Sequence, residues 1–503
     1  MSRRVPALAA LFTVVLHLAA NPHYGFFRDE LYFIICGFHP AWGYVDQPPA
    51  VPLLAAASQL FGHSLFALRA LPALFAAAGA YVTCLLAIEM GGGVFAQVLA
   101  VLAYLAAGVL ESFGAKVGPD MVGLWLWPLA ALYVLRIAKG GNERLWLAAG
   151  GAIGFSLESK YSALFFAVAL VIGLLLTPQR RILATRWFLA GTALALLVAL
   201  PNVVWQALHG FPMWELLRNG QQGKNVAVSP ALFLFQQLLL TNLFAWPIWF
   251  AGLIALLRDG PSRFLGYAYI VLIAMMIALH AKHYYPADVY PILMAAGGVA
   301  IERWVRAPAL RYAIATAVVA AWFFFAPFSL PVLSEPAMVR YSAFVGQLLH
   351  IQRSAMATEH HRSSVLPEDW ADMHGWPELA ATIAKVYRSL PPAQRAQAVV
   401  VASNYGEAAA VDFFGGAYGL PRAISGHNNY WLWGTHGYSG NVIIDVNGDC
   451  GATRLPGLFR VARLAARSNP PWVISYERNI PISVCTGIRT PLSQLWPKLR
   501  DYI

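Results

Sequence analysis

The sequence predicts an all-α, polytopic membrane protein of about eleven spans, with surface helices in its first outside loop and a small C-terminal α/β domain. Three observations predict it. Of the 503 residues, 59% are hydrophobic and only 12% charged, against about 45–50% and 25% in soluble domains; mean hydropathy is +0.57. Apolar runs near the roughly 20 residues that cross a bilayer recur as far as residue 329. From about residue 334 no run is long enough to span, and acidic residues return. Residues 1–333 therefore read as a transmembrane domain and 334–503 as a soluble one.

The spans lie near 5–20, 66–89, 94–111, 120–138, 145–158, 161–177, 187–205, 231–257, 264–281, 287–303 and 309–329. The two that meet at Ser159-Lys160-Tyr161 are short and read as half-buried helices with a tight turn between them. No small-residue cleavage pattern follows segment 5–20, which reads as a retained first helix. With the N-terminus inside, the inside loops hold thirteen Lys and Arg and the outside loops six, before the C-terminal region. That is the direction of the positive-inside rule. It puts the N-terminus in the cytoplasm and residues 334–503 on the outside face, periplasmic or extracellular. The net charge of +11 is this loop bias and does not point to nucleic acid.

The first outside loop covers about 21–63. Leu31, Ile34, Ile35 and Phe38 share one face of a helix over 28–38. Pro48-Pro49 opens a second, from Ala50 to Leu60, because proline is tolerated in a first turn. Both are expected along the membrane surface. In the C-terminal domain, 399–402 and 442–446 read as buried strands and 405–414 as a helix between them. Cys450 and Cys485 both fall there. An oxidising compartment would let them pair; two free buried thiols are the alternative. Cys84 reads as inert packing.

The most informative cluster is acidic. Asp29 and Glu30 follow the first apolar segment, and Asp46 comes in Tyr44-Val45-Asp46-Gln47-Pro48-Pro49. Ionisable groups near a membrane are costly and mark sites more often than architecture. Other outside turns add Asp120, Lys160, Arg218, Lys224 and the run His280-Ala281-Lys282-His283-Tyr284-Tyr285-Pro286. Acids, bases and aromatics thus gather on one face. Sugar transfer from a lipid phosphate needs this mixture. A carboxylate takes the proton of the acceptor hydroxyl, cations hold the leaving phosphate, and the lipid tail keeps the site at the bilayer edge.

Arg28-Asp29-Glu30-Leu31-Tyr32 followed by Tyr44-Val45-Asp46-Gln47-Pro48-Pro49 resembles the first outside loop of the protein mannosyltransferase-like family (family 39). These are GT-C membrane glycosyltransferases whose bacterial relatives include the lipid A aminoarabinose transferase. The order of elements agrees over about residues 1–330, through Gly118-Pro119-Asp120, Ser159-Lys160-Tyr161 and Lys282-His283-Tyr284-Tyr285-Pro286. The resemblance implies a GT-C helical bundle, a polyprenyl-phosphate sugar donor, an inverting single displacement onto a lipid or glycan hydroxyl, and no strict need for a metal. It maps the leading catalytic carboxylate onto Asp29 and a second acidic position onto Asp46. Where the aminoarabinose transferase pattern has Glu followed by Lys, this chain has Asp46 followed by Gln47.

The catalytic candidates are therefore Asp29, Asp46, Asp120 and Glu30. Lys282, Lys160 and Arg28 are candidates for the donor phosphate, and His280, His283, Tyr284, Tyr285 and Tyr44 for substrate contact. Each has a plainer reading: Asp29, Asp46 and Asp120 as helix caps, Glu30 as a first-turn dipole partner, Lys160 as a snorkelling side chain. The spacing of His280 and His283 suits a metal, but no third ligand is apparent. The rival function is a transporter or flippase of lipid-linked sugars. It would place ionisable residues mid-span in repeated, broken helices; the span interiors here are almost bare.

Overall fold

The computed structural model describes residues 4–223, 228–350, 364–451 and 456–503. It is mostly helical, with a small C-terminal sheet. At the centre stands the helix Tyr290–Trp304, every residue of which from Tyr290 to Ile301 is buried. Small residues make that possible. Gly297 lies against the Ile248 backbone and Gly298 against that of Ala96, where a Cβ would collide. Around it pack Leu65–Glu89, Val94–Ala106 and Trp246–Arg258. Peripheral helices keep an apolar outer face: Arg186–Leu208 exposes Leu189, Leu196, Leu197 and Val203, as a lipid-facing helix would.

Each of the eleven apolar segments carries helix, but the count of eleven spans does not follow directly. Among the described residues, three helices are long and apolar enough to cross a membrane: Leu65–Glu89, Arg186–Leu208 and Pro308–Phe328. Counting bent pairs as single spans gives up to five. Segment 94–111 bends by 70° between Val94–Ala106 and Gly108–Ala115. Segment 231–257 is two helices, Pro230–Leu240 and Trp246–Arg258. The break fits Thr241 and Asn242, whose side chains bond to main chain instead of continuing the apolar pattern.

The first loop forms the helices Arg28–Phe38 and Ala50–Ser58, the latter prolonged by a short 3-10 turn to Phe61. Neither is capped by its expected acid: Phe27 and Pro49 occupy the cap positions, without side-chain capping bonds. The C-terminal sheet has strands β1 (Ala398–Ala402), β2 (Ala423–Ile424), β3 (Val442–Val446), β4 (Phe459–Ser468) and β5 (Ile480–Ile488), in the order β2-β1-β3-β5-β4. β1 pairs parallel with β2 and β3, while β5 pairs antiparallel with β3 and β4. Helices Trp376–Ser389 and Tyr405–Phe414 cover the sheet. Cys450 and Cys485 are joined by a disulfide. The second of these helices also packs against Arg28–Phe38, which seats the sheet domain on the first loop.

Candidate active site

The first turn of helix Arg28–Phe38 sends three charged side chains to three destinations. Glu30 turns into the bundle, where Arg69 meets it with neither side chain exposed to solvent. The Arg69 Nε donates to Glu30 Oε1 at 3.0 Å and Nη2 to Oε2 at 2.9 Å. Remaining guanidinium protons go to the carbonyls of Asn21, His23 and Gly25. The carboxylate also accepts from the N–H groups of Phe27 and Val117. A pair so fully bonded has no acceptor position to spare for a substrate proton, so Glu30 is a structural residue, not a catalytic one.

Arg28 turns toward the C-terminal domain. Its Nη2 donates to Asp372 Oδ1 at 2.8 Å and to the Tyr476 hydroxyl at 2.7 Å, with Glu477 at 3.5 Å. Its guanidinium lies over the rings of Trp376 and Tyr476. Gly406 admits it, since a Cβ there would sit 2.4 Å from the Arg28 Cγ. Arg28 is therefore a clamp between domains, not a phosphate ligand. Burial pushes the Asp372 carboxyl up to about 8, against the pull of Arg28. Burial and neighbouring Glu407 push Glu477 up to about 8.

Asp29 remains half-buried at the junction. Its Oδ1 accepts a 2.8 Å hydrogen bond from the Tyr405 hydroxyl. The Tyr405 ring lies 4.6 Å from that of Tyr32, and the Tyr32 hydroxyl donates to Asp46 Oδ1 at 3.1 Å. Two tyrosines in contact thus link the two acidic positions of the first loop.

That loop is stitched to the Ser159-Lys160-Tyr161 turn. The Ala50 N–H donates to the Glu158 carbonyl at 2.9 Å. Tyr161 bonds Asn202, whose amide holds the Trp42 carbonyl, and Gln206 holds the Tyr44 carbonyl. Ser159 Oγ in turn donates to the Pro119 carbonyl at 2.6 Å. This brings Asp120 to Lys160 as an ion pair. Lys160 Nζ also sits 4.3 Å from the Tyr285 ring centre and 4.9 Å from that of Tyr284. Lys282 reaches the same Tyr284 ring at 6.0 Å. Two ammonium groups from turns about 120 residues apart therefore flank one phenol.

Other expectations fare differently. Tyr44 is fully buried, its hydroxyl donating to the Cys36 carbonyl; it staples the loop and presents nothing to a substrate. His280 is exposed, in a left-handed turn. His283 meets Tyr284 edge to face at 5.8 Å, and Gln237 holds its carbonyl. Asp120 caps no helix, since the next one begins at Gly123. Arg218 lines a separate cavity of about 450 Å³ with Phe211, Trp214, Glu215 and Asn219; Lys224 lies outside the described residues.

Sequence reasoning missed Asp288 as a site residue. It is 3% exposed, faces Asp120 and Lys160, and has an Oδ1 without a hydrogen-bond partner among the described residues. Gly123 makes its space: a Cβ there would stand 1.9 Å from Asp288 Oδ2. An acid in the turn before a span was the available signal. For Tyr405, 376 residues from Asp29 in sequence, there was none.

A family model described as dolichyl-phosphate-mannose-protein mannosyltransferase matches residues 46–205, the stretch that carries Asp46, Asp120 and Lys160. Over that stretch, about a third of its length, the chain resembles this family. The lipid A galacturonosyltransferase RgtD of Rhizobium johnstonii is 28% identical over 186 residues. That match spans 37% of this chain and 39% of RgtD, well under two thirds of that relative's length. The fold is that of ArnT from Cupriavidus metallidurans. The crystal structure bound to undecaprenyl phosphate superposes with a TM-score of 0.61 at 18% identity, covering 96% of this chain and 99% of ArnT. The apo form gives 0.62 over the same shares.

Proposed function

We propose that this GT-C relative moves a sugar from a polyprenyl-phosphate donor to a hydroxyl of a lipid, glycan or protein acceptor, with inversion, at the extracytoplasmic face. The observation that supports it best is the pair of lysines, Lys160 and Lys282, on the Tyr284 ring. Two ammonium groups drawn to one ring repel each other, and an anion lying between them would relieve that repulsion. A lipid phosphate at the bilayer edge is such an anion, and ArnT has been crystallised with undecaprenyl phosphate.

In this reading Asp29 accepts the proton as the acceptor oxygen attacks the anomeric carbon. The bond from that carbon to the phosphate oxygen breaks, and its electron pair leaves with the polyprenyl phosphate. Lys160 and Lys282 neutralise the departing charge. Asp46 and Asp120 orient donor or acceptor, or share the base role, and Tyr284, Tyr285, His280 and His283 contact the sugar. Lysines supply the positive charge, so no metal is required. The reading places the chain in the inner membrane with about eleven spans, N-terminus cytoplasmic and sheet domain outside. The transporter alternative is not favoured, because these charges sit in turns at helix ends.

The test is transfer by membranes containing Asp29→Asn, supplied with a polyprenyl-phosphate sugar. The substitution removes the base and nearly nothing else, and transfer should fall about 10²–10⁴-fold. Transfer at the parent rate would remove Asp29 from the chemistry.

A further inference from the structure

We infer that the C-terminal sheet domain is part of the active site, and that Tyr405 is a positioning residue for the Asp29 carboxylate. The inference rests on the proposed role of Asp29 as base. It goes further in assigning a catalytic duty to a domain that the matched family region, residues 46–205, does not include.

Two separate elements of the domain reach the two acidic positions. From the start of helix Tyr405–Phe414, the Tyr405 hydroxyl donates to Asp29 Oδ1 at 2.8 Å. From the first residue of helix Asn429–Trp433, the Asn429 Oδ1 accepts from the Val45 N–H at 2.6 Å, one residue before Asp46. The Asn429 N–H also donates to the Tyr32 hydroxyl at 3.3 Å, while Tyr32 donates to Asp46.

These contacts are held rigidly. The Tyr405 ring packs tilted against those of Tyr32 and His427, at 4.6 and 4.9 Å between ring centres. Asn404 caps its helix by accepting from the Glu407 N–H at 3.0 Å. One residue before Asp29, Arg28 ties the same turn to Asp372 and Tyr476 of the domain. A carboxylate that can rotate about its χ angles loses the geometry a proton transfer needs; a fixed donor on one oxygen leaves the other aimed. Tyr405 acts through the Asp29 carboxylate, so its loss should spare donor binding.

The experiment compares steady-state transfer by full-length Tyr405→Phe and Asp29→Asn with the parent, in lipid nanodiscs with a polyprenyl-phosphate sugar. Phenylalanine keeps the ring contacts and removes only the hydroxyl. The expected result is a kcat lowered about tenfold or more, with the donor KM unchanged and the melting temperature close to the parent's. A folded Tyr405→Phe with parental kcat overturns the inference; so does one whose kcat, KM and melting temperature all move together, which marks a purely structural role. If Tyr405→Phe does not fold, Asn429→Ala decides: a severalfold fall in kcat at constant KM supports a catalytic duty for the domain, and parental kcat refutes it. Asp29→Asn separates the two readings. Should it alone retain full transfer, the base assignment fails; should it lose transfer while Tyr405→Phe does not, only the present inference fails.

Discussion

Arg69–Glu30 and Lys160–Asp120 are each one cation against one carboxylate near a helix end, and they differ in what is left over. At Arg69 nothing is. Both side chains are sealed from water, and the guanidinium and the carboxylate are bonded on every side by Asn21, His23, Gly25, Phe27 and Val117. At Lys160 there is surplus. The pair keeps 18% and 14% exposure, a second lysine approaches the same tyrosine, and Asp288 keeps a buried oxygen without a hydrogen-bond partner among the described residues. A saturated pair fixes a fold. An unsaturated one, with like charges gathered round it, has room for a substrate.

The difference predicts opposite phenotypes, the largest at the sealed pair. Arg69→Ala leaves Glu30 charged and buried, which costs about 3–5 kcal/mol; a thermal-shift measurement should show the protein failing to accumulate or melting far below the parent. Lys160→Ala should do the reverse, lowering transfer about a hundredfold with a melting temperature near the parent's. If the lysine variant unfolds and the arginine variant merely slows, the distinction between the two pairs is wrong.

The Arg28 junction sharpens the comparison, because there one cation faces two acids. Burial raises Asp372 and Glu477 to about 8, from ordinary values near 4. The folded chain therefore binds more protons than the unfolded chain between about pH 4 and 8. The stability contributed by these groups is present at low pH and is lost as pH rises toward 8. Melting temperature should decline from about pH 5 to 9, and Asp372→Asn should flatten that slope; an unchanged slope would detach these groups from the pH response. The smallest effect is expected from metal removal. The proposed neutralisation of the phosphate by lysines predicts that EDTA leaves transfer unchanged, and a loss restored by a divalent cation would contradict that.

Much of this was legible in the sequence because local rules sufficed. The helices Arg28–Phe38 and Tyr405–Phe414, and the strands around 399–402 and 442–446, follow from apolar period and flanking residues. The Lys160 and Lys282 turns, which the sequence sets on one outside face, meet at the Tyr284 ring. What could not be read is which way each charge turns. Asp29 and Glu30 are adjacent, yet a 100° step round the helix sends one to the junction and the other to Arg69. Arg28 was read as a phosphate ligand because its partners, Asp372 and Glu477, lie more than 340 residues away. The same distance hid Tyr405. Strands β4 and β5 escaped because arginines interrupt β4, whose face is largely exposed.

The central claim, that a lipid phosphate lies between the two lysines, is tested most directly by a cryo-EM structure of the protein in nanodiscs with undecaprenyl phosphate. The account predicts phosphate density within hydrogen-bond reach of Lys160 and Lys282 beside Tyr284, the prenyl tail running into the bilayer, and Asp29 facing the same space. Density elsewhere, with Lys160 still held by Asp120 alone, would contradict it.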